Sequence, residues 1–127
     1  MLDELGAVDV GIVGISRGGY VAITCAAYDG RFRDLALEIP VTDLNYLTEF
    51  KSMPVDETLF GTDQYVPYIS DRANLVRIGK DDARVGTALA VAFAQKVGAT
   101  LELTDALGHE IAEDGSTITW LLGHPFW

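Results

Sequence analysis

The stretch that most constrains this chain is Gly14-Ile15-Ser16-Arg17-Gly18, a G-x-S-x-G run set between an apolar segment and a helix-like one. Residues 8–14 have the length and apolar content of a short buried strand. Residues 17–29 place Tyr20, Ile23, Thr24 and Ala27 on one helical stripe, with Gly30 after the end. A serine between two such elements sits on a sharp strand-to-helix turn that lifts its hydroxyl out of the sheet, and the flanking glycines remove Cβ clashes. The expected unit is β-turn-α, with Ser16 at the carboxyl end of its strand.

The same alternation continues along the chain. Residues 35–39 form a second strand closed by Pro40, 75–78 a third ending at Gly79, and 101–103 a fourth. A helix starting near residue 87 carries Leu89, Phe93 and Val97 inward and stops at Gly98, and 116–122 form a last short helix. Residues 1–5 have the pattern of a helix tail stopped by Gly6. The span from residue 41 to 74 is irregular apart from a short helix capped by Asp43. Strands alternating with helices pair in parallel through right-handed crossovers. The expected fold is therefore α/β, a three-layer sandwich with a mainly parallel sheet of about four strands and a functional edge at their carboxyl ends.

The 127 residues, 49% hydrophobic, make a single domain able to bury roughly two thirds of its unfolded surface. A net charge of −10 disfavours nucleic-acid phosphates and anionic membranes as partners. No segment has the pattern of a signal peptide or a bilayer span, so the expected location is cytoplasmic. Cys25 is the only cysteine, which excludes an intrachain disulfide; inside an apolar run it is expected to be a small buried hydrophobe.

A serine hydroxyl is a weak nucleophile at neutral pH and needs a base, which in turn needs a carboxylate to fix its tautomer. Asp82 follows the third strand and His109 the fourth, so three chemically suitable side chains meet at one sheet edge in the order Ser, Asp, His. Asp81 competes with Asp82 for the acid's role, and Asp82 is favoured by its spacing to Val85. His124 is the only other histidine, close to the end of the chain, and His109 is favoured over it.

With these residues in place, the chain resembles the C-terminal half of an α/β hydrolase. Gly14-Ile15-Ser16-Arg17-Gly18-Gly19-Tyr20 is similar to the nucleophile elbow of the esterase, dienelactone-hydrolase and prolyl-oligopeptidase-like branches. Gly79-Lys80-Asp81-Asp82-Ala83-Arg84-Val85 is similar to their acid loop, where the catalytic aspartate stands three residues before a valine, and Gly108-His109 to their histidine loop. The resemblance implies a carboxylesterase-like serine hydrolase that cleaves small esters through an acyl-enzyme. In it Ser16 is the nucleophile, His109 the base, Asp82 the orienting acid, and the Arg17 backbone N–H half of the oxyanion hole. It implies no metal or cofactor. Thioesterase, lactonase and peptidase chemistry stay open, as does a non-catalytic remnant or assembly module.

Residues 41–73 form a lid-like segment rich in aromatic rings, of which Tyr46, Phe50, Tyr65 and Tyr68 are the candidate acyl-binding residues. The alternative is that the rings pack a long loop onto the domain. The family's N-terminal strands, and the loop that gives the second oxyanion donor, have no counterpart in these residues. The elbow strand is thus expected at an open sheet edge, and such an edge invites a homodimer or higher homo-oligomer.

Overall fold

The computed structural model describes residues 4–6 and 9–123. The helix tail expected over 1–5 lies mostly outside them, with 4–6 forming a turn, and His124 lies outside altogether. Four strands, β1 (Val10–Ile15), β2 (Phe32–Glu38), β3 (Ala73–Gly79) and β4 (Thr100–Thr104), form one parallel sheet in the order β1-β2-β3-β4. Helix α1 (Arg17–Tyr28) joins β1 to β2, and α4 (Thr87–Val97) joins β3 to β4. Between β2 and β3 the chain makes 3-10 turns at Leu44–Tyr46, Thr48–Phe50 and Thr62–Tyr65 and two single-turn helices, α2 (Glu57–Phe60) and α3 (Val66–Ile69). The last helix, α5, is Ser116–Leu122.

Sequential parallel strands with crossovers of one hand put the connecting helices on one face, and α3 does touch both α1 and α4. Gly14 faces α1, where an added Cβ would meet Ala22, whereas Gly11 faces Leu121 of α5. Alternation along β1 therefore places α5 on the opposite face, and the fold has three layers. On the helix-covered face Leu35, Leu37, Val76 and Ile78 pack with Ile23, Ala26, Ala90, Phe93, Ala94 and Val97 into one apolar core.

The buried stripes differ from those expected. In α1 the buried residues are Gly19, Ala22, Ile23 and Ala26, while Tyr20, Thr24, Ala27 and Cys25 are only half-buried. In α4 they are Ala90, Phe93, Ala94 and Val97, with Leu89 half-buried. The reason is close approach: the helices lie so near the sheet that small side chains face inward and large ones turn to the flank.

On the α5 face the register aligns Glu38, Arg77 and Glu102 across neighbouring strands. Arg77 is 2% exposed and donates to Glu38 Oε1 at 2.8 Å, to Glu102 Oε2 at 2.7 Å and to both oxygens of Asp114 at 2.9 and 2.8 Å. The hydroxyl of Thr117 in α5 also bonds Glu38. Burial opposes the Arg77 charge, but these carboxylates hold it protonated even more firmly than an ordinary arginine. Among the described residues β1 is a sheet edge, and its Val13 and Ile15 are 45% and 49% exposed on this face.

Candidate active site

The Ser16 backbone has φ 55 and ψ −118, a conformation that L-residues rarely adopt and that costs about 1–3 kcal/mol. Three features of the surrounding chain hold it there. Ser16 N–H donates to Glu38 O at 3.0 Å, and its own carbonyl accepts from Gly19 N–H and Val41 N–H, both at 2.9 Å. A Cβ on Gly14 would stand 2.5 Å from Gly18 O, so only glycine fits below the turn. Gly18 has open space around it, and the second sterically required glycine is Gly19, where a Cβ would lie 2.7 Å from Pro40 Cβ. The expectation that Gly18 relieves a clash is therefore corrected to Gly19. The segment Ile39-Pro40-Val41 buttresses the elbow, and Ile39 itself has a left-handed φ of 43, a strained value for a β-branched residue. In the sequence the only sign of this buttress is the adjacent Gly18-Gly19 pair.

Asp82 and His109 reach Ser16 from the ends of β3 and β4. Ser16 Oγ lies 2.9 Å from His109 Nε2, and His109 Nδ1 lies 2.8 Å from Asp82 Oδ2. A carboxylate only accepts, so the Nδ1 proton points at Asp82 and Nε2 is left to accept from the serine hydroxyl. The other Asp82 oxygen accepts from the backbone N–H groups of Arg84 at 3.0 Å and Val85 at 3.1 Å. Asp82 is 2% exposed, so these bonds are what make its charge tolerable inside the protein. Thr87 pins the loop from beneath, donating to Gly79 O at 2.7 Å and accepting from Asp82 N–H at 2.9 Å. Asp81 has a separate partner: its Oδ1 accepts from Gly108 N–H at 3.1 Å, tying the acid loop to the histidine loop. The two adjacent carboxylates thus divide the work, one facing the imidazole and one the backbone before it.

As the first residue of α1, Arg17 has a backbone N–H with no carbonyl available inside the helix, beside Ser16. Its side chain pairs with Glu49, which also accepts from Arg84 Nη2 at 2.7 Å. Arg84's hydrogen bond, with help from Arg17, holds the Glu49 carboxyl down to about 2. Beyond the imidazole, an open cleft is lined by Ile39, His109, Glu110, Ile111 and Glu113.

The four candidate acyl-binding rings do not stay together. Tyr46 lines a recess with Asp82, Gly86 and Leu89, and Phe50 packs on the flank of the core. Tyr65 is 7% exposed and meets Tyr28 edge-on with ring centroids 6.0 Å apart. Tyr28 ends α1, about 18 Å of helix away from Ser16. The Tyr65 hydroxyl also interacts with that of Tyr20 in the first turn of α1, so Tyr65 packs in the core along the length of α1 rather than as an open ring over the strand ends. Tyr68 is exposed on α3, which packs against α1 and α4, so it too is displaced from the site.

No protein-family model and no curated protein matches this sequence. Solved structures do match in three dimensions. An esterase of Pyrococcus furiosus superposes with a TM-score of 0.67 at 18% identity, over 89% of this chain and 49% of its own. A serine hydrolase of Cycloclasticus zankles gives 0.66 at 19%, over 96% of this chain and 65% of its own. An acetyl ester-xyloside bifunctional hydrolase of Caldicellulosiruptor lactoaceticus gives 0.66 at 17%, over 88% and 52%. With a four-stranded parallel sheet, helices on both faces and an elbow between β1 and α1, the chain has the α/β-hydrolase fold and spans about half to two thirds of the length of these solved structures.

Proposed function

We propose that this chain carries the catalytic triad of a serine hydrolase that cleaves small esters through an acyl-enzyme. The observation that supports it most is the unbroken line from Ser16 Oγ through His109 to the buried Asp82 carboxylate, at 2.9 and 2.8 Å. In this reading His109 takes the serine proton as Ser16 attacks the ester carbonyl and returns it to the departing alcohol. Water then repeats the sequence to free the acid. Arg17 N–H meets the oxyanion, and Tyr46, which shares a recess with Asp82, is the ring that contacts the acyl group, with Phe50 packed behind it on the core. Thioester, lactone and peptide bonds are alternative substrates for the same machinery, distinguished by assay.

One donor is half of an oxyanion hole, and a second is worth about 2.7–4 kcal/mol of transition-state stabilisation. The open edge of β1, with Val13 and Ile15 in water, favours a homodimer formed across that edge, which would bring a neighbour's backbone towards Ser16. A fluorophosphonate probe should label the native protein at Ser16 and leave Ser16→Ala unlabelled with an unchanged circular dichroism spectrum. Labelling that survives in Ser16→Ala would remove the reading. Specific activity that stays constant on dilution of a light-scattering monomer would remove the dimer.

A further inference from the structure

The rim of the site contains an arrangement for which triad chemistry has no use. Arg17 directly follows Ser16, and Arg84 belongs to the loop whose backbone grips Asp82. Their side chains converge on one atom: Arg84 Nη2 donates to Glu49 Oε2 at 2.7 Å, and Arg17 Nη2 donates to the same oxygen. Two guanidinium groups against one carboxylate leave a net positive charge. Lys51 stands over the Tyr46 ring, 5.4 Å from its centroid, and Lys80 lines the Tyr46 recess. Four of the nine basic residues in a chain of net charge −10 therefore gather on this side of the triad. On the other side the cleft beside His109 is lined by Glu110 and Glu113. Asp81 and Asp82 line the same recess as Lys80, so the positive excess on this side belongs to the Arg17-Glu49-Arg84 cluster with Lys51 beside it, and it faces an anionic cleft beyond the imidazole.

We propose that Arg17 and Arg84 form a clamp for the free carboxylate of an anionic ester, such as the monoester of a dicarboxylic acid, and that Glu49 is a built-in ligand which the substrate displaces. The proposal rests on the hydrolase reading above. The chemistry of the occupant is indicated by Glu49 itself, a carboxylate already seated between two planar guanidinium donors that suit that shape. Exchange is inexpensive because the Arg17, Glu49 and Arg84 side chains are 65%, 39% and 37% exposed, and exposed ion pairs are weak. Glu49 comes from a single 3-10 turn, whereas the arginines stand on the first turn of α1 and on a loop fixed by the Val85 and Thr87 hydrogen bonds, so the clamp is the more rigid partner. The overall negative field of the protein repels anions, and a local basic patch beside the nucleophile is what an anionic ester would need to reach it.

The test uses monomethyl glutarate and its neutral counterpart dimethyl glutarate. Calorimetric titration of Ser16→Ala at low ionic strength reads binding without turnover. The monoester should bind about ten-fold more tightly than the diester, as expected for a charge-assisted pair of hydrogen bonds. Adding Arg84→Gln should erase that ratio. Adding Glu49→Gln should tighten the monoester several-fold by removing its competitor. Equal binding of the two esters overturns the clamp, and so does a Glu49→Gln change that weakens the monoester, because the bridge would then be structural only. Binding does not depend on chemistry, so a retained preference without hydrolysis by the native protein overturns the hydrolase reading alone. Hydrolysis of both esters with equal kcat/KM overturns the clamp alone.

Discussion

On the helix-covered face of the sheet Leu35, Leu37, Val76 and Ile78 are at most 1% exposed among other apolar side chains; on the α5 face Glu38 and Arg77 are nearly as buried, yet are bound by charge. The first face is closed by α1, α3 and α4, while the second is covered by α5 over β2 and the start of β1 and is open at Val13 and Ile15. Apolar burial tolerates small shifts because it has no direction, whereas an ion network demands register. The site straddles the two. Ser16 and Asp82 belong to turns that lead into α1 and α4, and His109 to the loop that leads into α5. That loop is anchored by Arg77 through Asp114 and through Ala112 O at 3.3 Å. The 2.9 Å between Ser16 and His109 is therefore a distance between elements fastened by different physics.

The largest effect expected is within the triad. Asp82→Asn keeps the shape but gives Nδ1 a partner that can also donate, which favours the wrong imidazole tautomer, and kcat should fall by about 10⁴-fold. Asp81→Asn retains an oxygen that can accept from Gly108 N–H, and it should cost no more than about ten-fold, the value of one loop hydrogen bond. Steady-state kinetics on a short-chain p-nitrophenyl ester decides between the neighbours. If Asp81→Asn were the more damaging change, the two carboxylates would have to exchange roles.

Next in size is a direct contest between the two faces. Leu37→Ala opens a cavity in the apolar core and should cost about 2–5 kcal/mol of stability, with little change in kcat for the protein that remains folded. Arg77→Met leaves Glu38 buried without its cation and should cost about 3–5 kcal/mol. It should also lower kcat, because the histidine loop loses its anchor. Adding Glu38→Met to Arg77→Met should recover much of the stability, since a buried pair replaced by apolar side chains is often no worse than the pair. Urea denaturation measures the first quantity and active-site titration the second. An Arg77→Met protein that is destabilised but fully active per folded molecule would show that the ion network holds only the fold.

Most of what lies close together along the chain was legible in the sequence. The elbow, the acid loop and the limits of α4 and α5 depend on local spacing, and the chain order of Ser16, Asp82 and His109 needs only the alternation of strands and helices. What was not legible depends on approach across the fold. Hydrophobic periodicity selected Tyr20 and Leu89 because they are large, but helices pressed onto a sheet turn Gly19, Ala22, Ala90 and Ala94 inward. The ring count in 41–73 carries no direction, and only the fold shows that Tyr65 turns into the core along α1, between Tyr20 and Tyr28. Arg77 is a single charged residue in an apolar strand, and only the register of β2, β3 and β4 brings Glu38 and Glu102 to it.

The smallest effect expected is the response of the ionic face to acid. Hydrogen bonds from the Ser116 backbone and side chain, together with Arg77, hold the Asp114 carboxyl below the usual range. An aspartate depressed in this way stabilises the fold above its unfolded pKa, about 3.9, and that contribution disappears as pH falls through the folded value. Melting temperature should therefore decline below about pH 4. Asp114→Asn should lower it slightly at neutral pH and flatten the acidic limb, because the titrating group is gone. The loss should be smaller in high salt, since Asp114 is half exposed and its pairing is screened. Leu37→Ala provides the control: it should shift the whole curve down without changing the slope of that limb, as apolar burial carries no proton. An acidic limb equally steep in Asp114→Asn and in the parent would place the titrating groups elsewhere. Asp29 and Glu49, each held near 2 by arginine partners outside the ionic face, would then be the next to replace.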